Sequence, residues 1–144
     1  MYLMIIILLS VLLIYISYID FKSRIIPNKI ILPAYILSAL YNIYLLFTNK
    51  TMFYNNIIAF CIAFGFMFII GLLSKGALGG GDIKLYGLLG LSLGLHSVIK
   101  IILYSTLIGS IIAIFLVLFK IKKYNDSIPF GPFIAAGFFL SLII

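Results

Sequence analysis

The sequence has no glutamate, no tryptophan, one cysteine, one histidine and three acids: Asp20, Asp82 and Asp126. Charged residues are 9% of the 144 and hydrophobic ones 65%. A soluble domain is typically about 25% charged and about 45–50% apolar. So little polar surface excludes a water-soluble monomer, and so much apolar surface excludes intrinsic disorder. Cys61, alone in an apolar run, excludes an internal disulfide, and there is no CxxC pair to hold zinc. It reads as a small packed or lipid-facing side chain. No cluster of His, Cys and carboxylates suggests a metal site, and no cofactor is expected. The shortage of acid leaves ten Lys and Arg, for a formal charge of +7. They are scattered over short loops rather than gathered on one face, which argues against nucleic-acid binding. They suit a membrane protein, where Lys and Arg hold loops on the cytoplasmic side near anionic lipid.

What is present is a series of continuous apolar runs, without the alternation of a porin-type strand. A spanning helix takes about 20 residues, so six take about 120 and leave room only for short loops. The expected architecture is all-α: a polytopic membrane protein of six transmembrane helices in one domain over residues 1–144. The runs are Met1–Ile19, Ile30–Phe47, Ile57–Leu73, Ile83–Val98, Ile101–Phe119 and Pro129–Ile144. The first has no basic stretch before it and no small-residue cleavage site after it, so it reads as a span and not a removable signal. Thr48–Asn56 reads as a polar turn, Ser74–Asp82 as a glycine-rich loop, and Lys100 as a tight turn. The fourth run is interrupted by Gly87, Gly90 and Gly94; it and the sixth are short for a full crossing.

Basic residues number 3, 1, 2, 1 and 3 in successive loops, so odd loops carry eight and even loops two. The positive-inside rule then places the odd loops in the cytoplasm and both termini outside. All three acids fall on the cytoplasmic side. Asp20 ends the first span and Asp82 starts the fourth, 62 residues later but at one depth in the bilayer. Asp126, among Lys122, Lys123 and Asn125, reads as a loop residue. His96 falls near the outer end of span four and reads as a loop or interface side chain.

An acid at the edge of the bilayer core is costly and points to a function or a water-filled cavity. Asp82 has a bland alternative as a helix N-cap. Its context favours chemistry: Gly79, Gly80 and Gly81 precede it, and glycines admit close backbone approach. A protease acting on an extended peptide needs that access. The spacings of dinucleotide and Walker phosphate loops are absent.

Three segments resemble those of the type IV prepilin peptidases, membrane aspartic proteases of the GxGD type. Asp20-Phe21-Lys22-Ser23-Arg24-Ile25-Ile26-Pro27-Asn28 is similar to the family's first Asp with its Ile-Pro-Asn turn. Gly79-Gly80-Gly81-Asp82-Ile83-Lys84-Leu85 is similar to its GxGD motif. Pro129-Phe130-Gly131-Pro132-Phe133-Ile134-Ala135-Ala136-Gly137 is similar to its terminal Phe-Gly-Pro-Phe segment. The family's six-helix layout covers nearly the whole chain. The presenilin and signal-peptide-peptidase types carry their first Asp in a Tyr-Asp pair, whereas Ile19 precedes Asp20 here.

The resemblance implies Asp20 and Asp82 as a catalytic dyad, with Gly79, Gly80, Gly81 and Lys84 in the active-site loop. Lys22, Pro27, Asn28, Phe130, Gly131 and Pro132 are candidates for shaping the cavity. Lys22 and Lys84 also read as ordinary inside-loop charge, Pro27-Asn28 as the turn into span two, and Phe130–Phe133 as a helix start. The implied substrate is a type IV prepilin or pseudopilin, cut between a basic leader and an apolar helix on the cytoplasmic side of the plasma membrane. The chain starts directly in span one with no paired CxxC, as in short peptidase-only forms, so N-methylation is not expected of it. Two other classes fit the composition. One is a small proton- or cation-coupled carrier, which should show a polar residue at mid-span. The other is a non-catalytic assembly factor, which would tolerate loss of both acids.

Overall fold

The computed structural model describes residues 2–74, 78–120 and 128–144. Six helices follow in order: α1 (Tyr2–Ser23), α2 (Asn28–Thr48), α3 (Lys50–Leu73), α4 (Gly80–Leu93), α5 (Leu95–Leu118) and α6 (Gly131–Ile143). Lys75, Lys122, Lys123 and Asp126 lie outside the described residues, so the expectation for Asp126 has no structural counterpart here. Helices α1, α2, α3 and α5 are long and apolar enough to cross a membrane. The 14 residues of α4 and 13 of α6 reach only about 20 Å, against about 30 Å of hydrocarbon.

Two expected turns lie elsewhere. Thr48–Asn56 is helical except at Asn49, whose side chain caps α3 by accepting from the Met52 N–H at 3.1 Å. A good N-cap starts a helix wherever its side chain meets the free N–H groups, whatever the polarity of the residues that follow. Lys100 lies inside α5; its Nζ donates to the Ile144 carbonyl at 3.0 Å and ties the two helices. The real break is Gly94, at φ +81°, a conformation that glycine adopts without a Cβ penalty. Of the glycines expected to interrupt the run, Gly87 and Gly90 are helical.

Within lipid, helices associate by close packing and interhelical hydrogen bonds rather than by hydrophobic burial. The packing order follows small residues. Helix α1 lies on α6, α6 on α5, and α5 on α3 and α4; α2 completes the bundle against α3 and α4. A Cβ at Gly90 would lie 2.7 Å from the Ala59 carbonyl oxygen of α3, and one at Gly137 2.8 Å from the Ile101 carbonyl oxygen of α5. Polar pairs join α4 to α2 and to α5. Ser38 and Ser92 hydroxyls meet at 2.7 Å, Tyr86 and Ser105 at 2.6 Å. Asn42 donates to the Ser38 and Leu91 carbonyls and accepts from Asn56, so one amide links α2, α3 and α4.

Helix α4 is the hub, with ten of its fourteen residues buried. Between α1 and α2, neighbours in sequence, runs an apolar groove of about 580 Å³ lined by residues from Met4 to Tyr15 and from Ile30 to Leu37.

Candidate active site

Asp20 lies in the last turn of α1 and is buried. The helix ends on Arg24, whose N–H donates to the Asp20 carbonyl at 2.8 Å. Arg24 sits at φ 54°, the left-handed conformation that glycine usually supplies after a helix. Holding a side-chain-bearing residue there costs about 1–2 kcal/mol. Asp20 Oδ2 accepts from the Gly131 N–H, in the first turn of α6, at 2.7 Å.

Asp82 is the third residue of α4 and is also buried. Gly79 is the N-cap and offers no side chain to the free N–H groups of the first turn. The Asp82 carboxylate folds back toward the helix start, where a Cβ at Gly79 would lie 3.0 Å from its Oδ2, the direction in which the third residue of a capping box reaches. The N-cap position itself belongs to Gly79, so Asp82 is not the cap residue of α4. Its Oδ1 is buried and without a hydrogen-bond partner among the described residues. A buried unpaired carboxylate oxygen is costly and requires an explanation.

The three loop glycines differ in what they permit. A Cβ at Gly81 would meet Ile26 Cβ at 2.7 Å, so the bare residue lets α4 start against the Ile-Pro-Asn turn. A Cβ at Gly79 would lie 3.0 Å from Asp82 Oδ2; Gly80 has nothing within 4 Å. Packing therefore explains Gly79 and Gly81 but not Gly80.

Both acids line one cavity of about 210 Å³, together with Arg24, Ile25, Ile26 and Gly79 to Gly81. It is far smaller than the groove between α1 and α2, which has no acid in its lining. The small cavity stands out because titratable groups converge on it, not because of its size.

The structure also places the remaining candidates. Lys84 is exposed, with Nζ donating to Asn28 Oδ1 at 2.9 Å, and the Tyr35 hydroxyl donates to the Lys84 carbonyl at 2.7 Å. These contacts tie the first turn of α4 to the start of α2, beside the cavity that holds both acids but not in its lining. Pro27 is the N-cap residue of α2. Gly131 and Pro132 open α6, and Phe130 packs edge-on against Phe133. Lys22 is exposed in the last turn of α1 and does not line the cavity. Cys61 is exposed on α3, and His96 is exposed at the start of α5.

Arg24, Ile25 and Ile26 line the cavity, yet sequence reasoning did not single them out. Their place inside the first resembling segment was the available signal. Ser17, one turn before Asp20, was also missed: its hydroxyl donates to the Leu13 carbonyl at 2.7 Å and reaches the Gly131 carbonyl at 3.3 Å.

Comparison with known proteins bears on the family of the chain. The prepilin leader peptidase/N-methyltransferase of Bacillus subtilis is 30% identical over 132 residues, covering 92% of this chain and 52% of that protein. The protein of the same description from Vibrio cholerae is 34% identical over 125 residues, covering 83% and 47%. That from Aeromonas salmonicida is 27% identical over 141 residues, covering 94% and 47%. The chain thus spans about half the length of the curated relatives it matches. No solved structure matches it. The profile of the type IV leader peptidase family matches residues 7–114, a stretch that holds both Asp20 and Asp82. The chain belongs to the type IV leader peptidase family.

Proposed function

We propose that this chain cleaves the leader peptide from type IV prepilins or pseudopilins, with Asp20 and Asp82 as an aspartic dyad. One observation carries the reading: two acids 62 residues apart, on α1 and α4, line a single small cavity. Like charges about 3 Å apart do not both ionise, so a close pair holds one shared proton. The ionised carboxylate takes a proton from water as the water oxygen attacks the scissile carbonyl carbon. The protonated carboxyl donates to the carbonyl oxygen, and the departing amine collects a proton as the C–N bond breaks. The shared proton belongs to the pair and not to either residue. The unpartnered Asp82 Oδ1 supports the reading, since water or a substrate group would satisfy it.

The site faces the cytoplasm of the plasma membrane in this reading. Lys22, Arg24, Lys29 and Lys84 surround it in sequence, and such residues mark inside loops. All six helices embed in the bilayer, α4 and α6 within the shelter of the others. With Cys61 the one cysteine, these residues offer no CxxC pair, and the reading assigns them cleavage alone.

Co-expression with candidate prepilins, followed by loss of the leader on a gel, tests the proposal. The wild type should shorten at least one prepilin. Asp20→Asn and Asp82→Asn should each reduce cleavage by about 10²–10⁴-fold, the range of general acid–base catalysis, while still inserting in the membrane. Cleavage that survives either exchange removes that residue from the dyad. Intact leaders throughout would favour a carrier or an assembly factor.

A further inference from the structure

We propose that Gly131 is the positioning residue for Asp20. The proposal rests on the peptidase reading and adds a third element, the start of α6, to the two that bear the acids. Residues 20 and 131 are 111 apart in sequence, yet the Gly131 N–H donates to Asp20 Oδ2 at 2.7 Å in a buried contact. The neighbouring residue, Pro132, has no N–H, so Gly131 supplies the donor in the opening of the helix. The same residue is gripped from its other side, since the Ser17 hydroxyl reaches its carbonyl at 3.3 Å. Both polar groups of one glycine thus face the last turns of α1.

The missing side chain matters as much as the donor. A Cβ at position 131 would stand 2.9 Å from Asp20 Oδ2 and 3.1 Å from Asp20 Cβ. Asp20 Cβ is fixed to the backbone of a buried helix turn, so relief must come from rotating the carboxyl or shifting α6. Glycine therefore permits the approach, and its N–H then sets the orientation of the carboxyl toward the cavity it shares with Asp82.

Gly131→Ala tests this, because it keeps the N–H, suits a first helical turn and adds only the crowding methyl. Gly137→Ala is the comparator: its Cβ would crowd the Ile101 carbonyl and the Ser105 nitrogen on α5 at 2.8 Å, without contact to Asp20. With a prepilin substrate, Gly131→Ala should lower kcat by about 10²-fold, the effect of an ångström-scale misplacement, and leave KM within about twofold. Gly137→Ala should lower thermal stability and leave kcat within about threefold. Equal kcat losses in the two variants, or none in Gly131→Ala, would overturn the proposal.

A second measurement needs no substrate. In protein labelled with ¹⁵N-glycine in micelles, the Gly131 amide is the resonance lost in Gly131→Ala. It should move upfield in proton frequency in Asp20→Asn, as the charged acceptor is replaced; an unmoved resonance would overturn the contact. A wild type that cuts no prepilin would overturn the peptidase reading and the catalytic role of Gly131 together, while the amide resonance would still report the contact.

Discussion

Asp20 and Asp82 were legible as single residues because acids are so scarce in this chain. Of the three acids, these two are the ones that adjoin apolar runs. Their contacts were not legible. The Gly131 donor comes from far along the chain, and a spacing pattern does not report which backbone N–H meets which carboxyl. Lys84 illustrates the same limit. Its position two residues after Asp82 suggests an electrostatic partner, yet its Nζ turns to Asn28. The consequence is mechanical: Lys84 holds the α4 start against the turn that supplies Ile25 and Ile26 to the cavity. Lys84→Met should therefore slow cleavage by about fivefold, the kinetic equivalent of one exposed hydrogen bond of about 1 kcal/mol. Lys84→Arg should restore most of the rate. A steady-state comparison of the two variants on one prepilin checks this, and full activity in Lys84→Met would remove the latch from the mechanism.

Among the helices, hydropathy found the middles and missed the ends. Run three was expected from Ile57, but α3 begins at Lys50 because Asn49 caps it and because Asn56 is buried on Asn42. Run four was expected to reach Val98, but Gly94 ends α4 after Leu93 and α5 follows at once. Capping and backbone conformation decide such boundaries, and a window of average polarity is blind to both. The glycines of α4 are a further case. In the sequence they look like interruptions; in the helix Gly90 is where α4 meets the α3 backbone. The clash that a Cβ would make there is with the carbonyl of Ala59, which has no rotamer to yield. Gly90→Ala should destabilise the protein by about 1–3 kcal/mol, the usual cost of overpacking. Gly87→Ala should cost less, since its close neighbours are side chains, the Tyr35 hydroxyl at 2.7 Å and the Phe64 and Phe60 rings at 3.1 and 3.2 Å, which can shift where a backbone carbonyl cannot. Thermal denaturation in detergent, with both variants side by side, gives the order; a less stable Gly87→Ala would reverse the packing account.

For the whole molecule, the count of basic residues in alternate loops carries an expectation about orientation. It predicts that Lys29 and Lys50, at opposite ends of α2, lie on opposite sides of the membrane. In a Cys61→Ser background, Lys50→Cys should react with an impermeant maleimide in intact cells. Lys29→Cys should react only after the membrane is opened. Labelling of both from one side would invert or break the proposed topology. Pairing among helices was beyond the sequence: α1 and α2 adjoin in the chain but are parted by the groove, while α1 rests on α6.

The sheltering of α4 has a consequence for recognising such proteins. A segment walled in by its neighbours is released from the demand for oiliness that the surrounding lipid makes on the others. Glycine and serine survive there at little penalty, and a carboxylate is kept out of contact with lipid. A survey ranking stretches by greasiness and length would pass over α4 first, and with it the segment that bears Asp82.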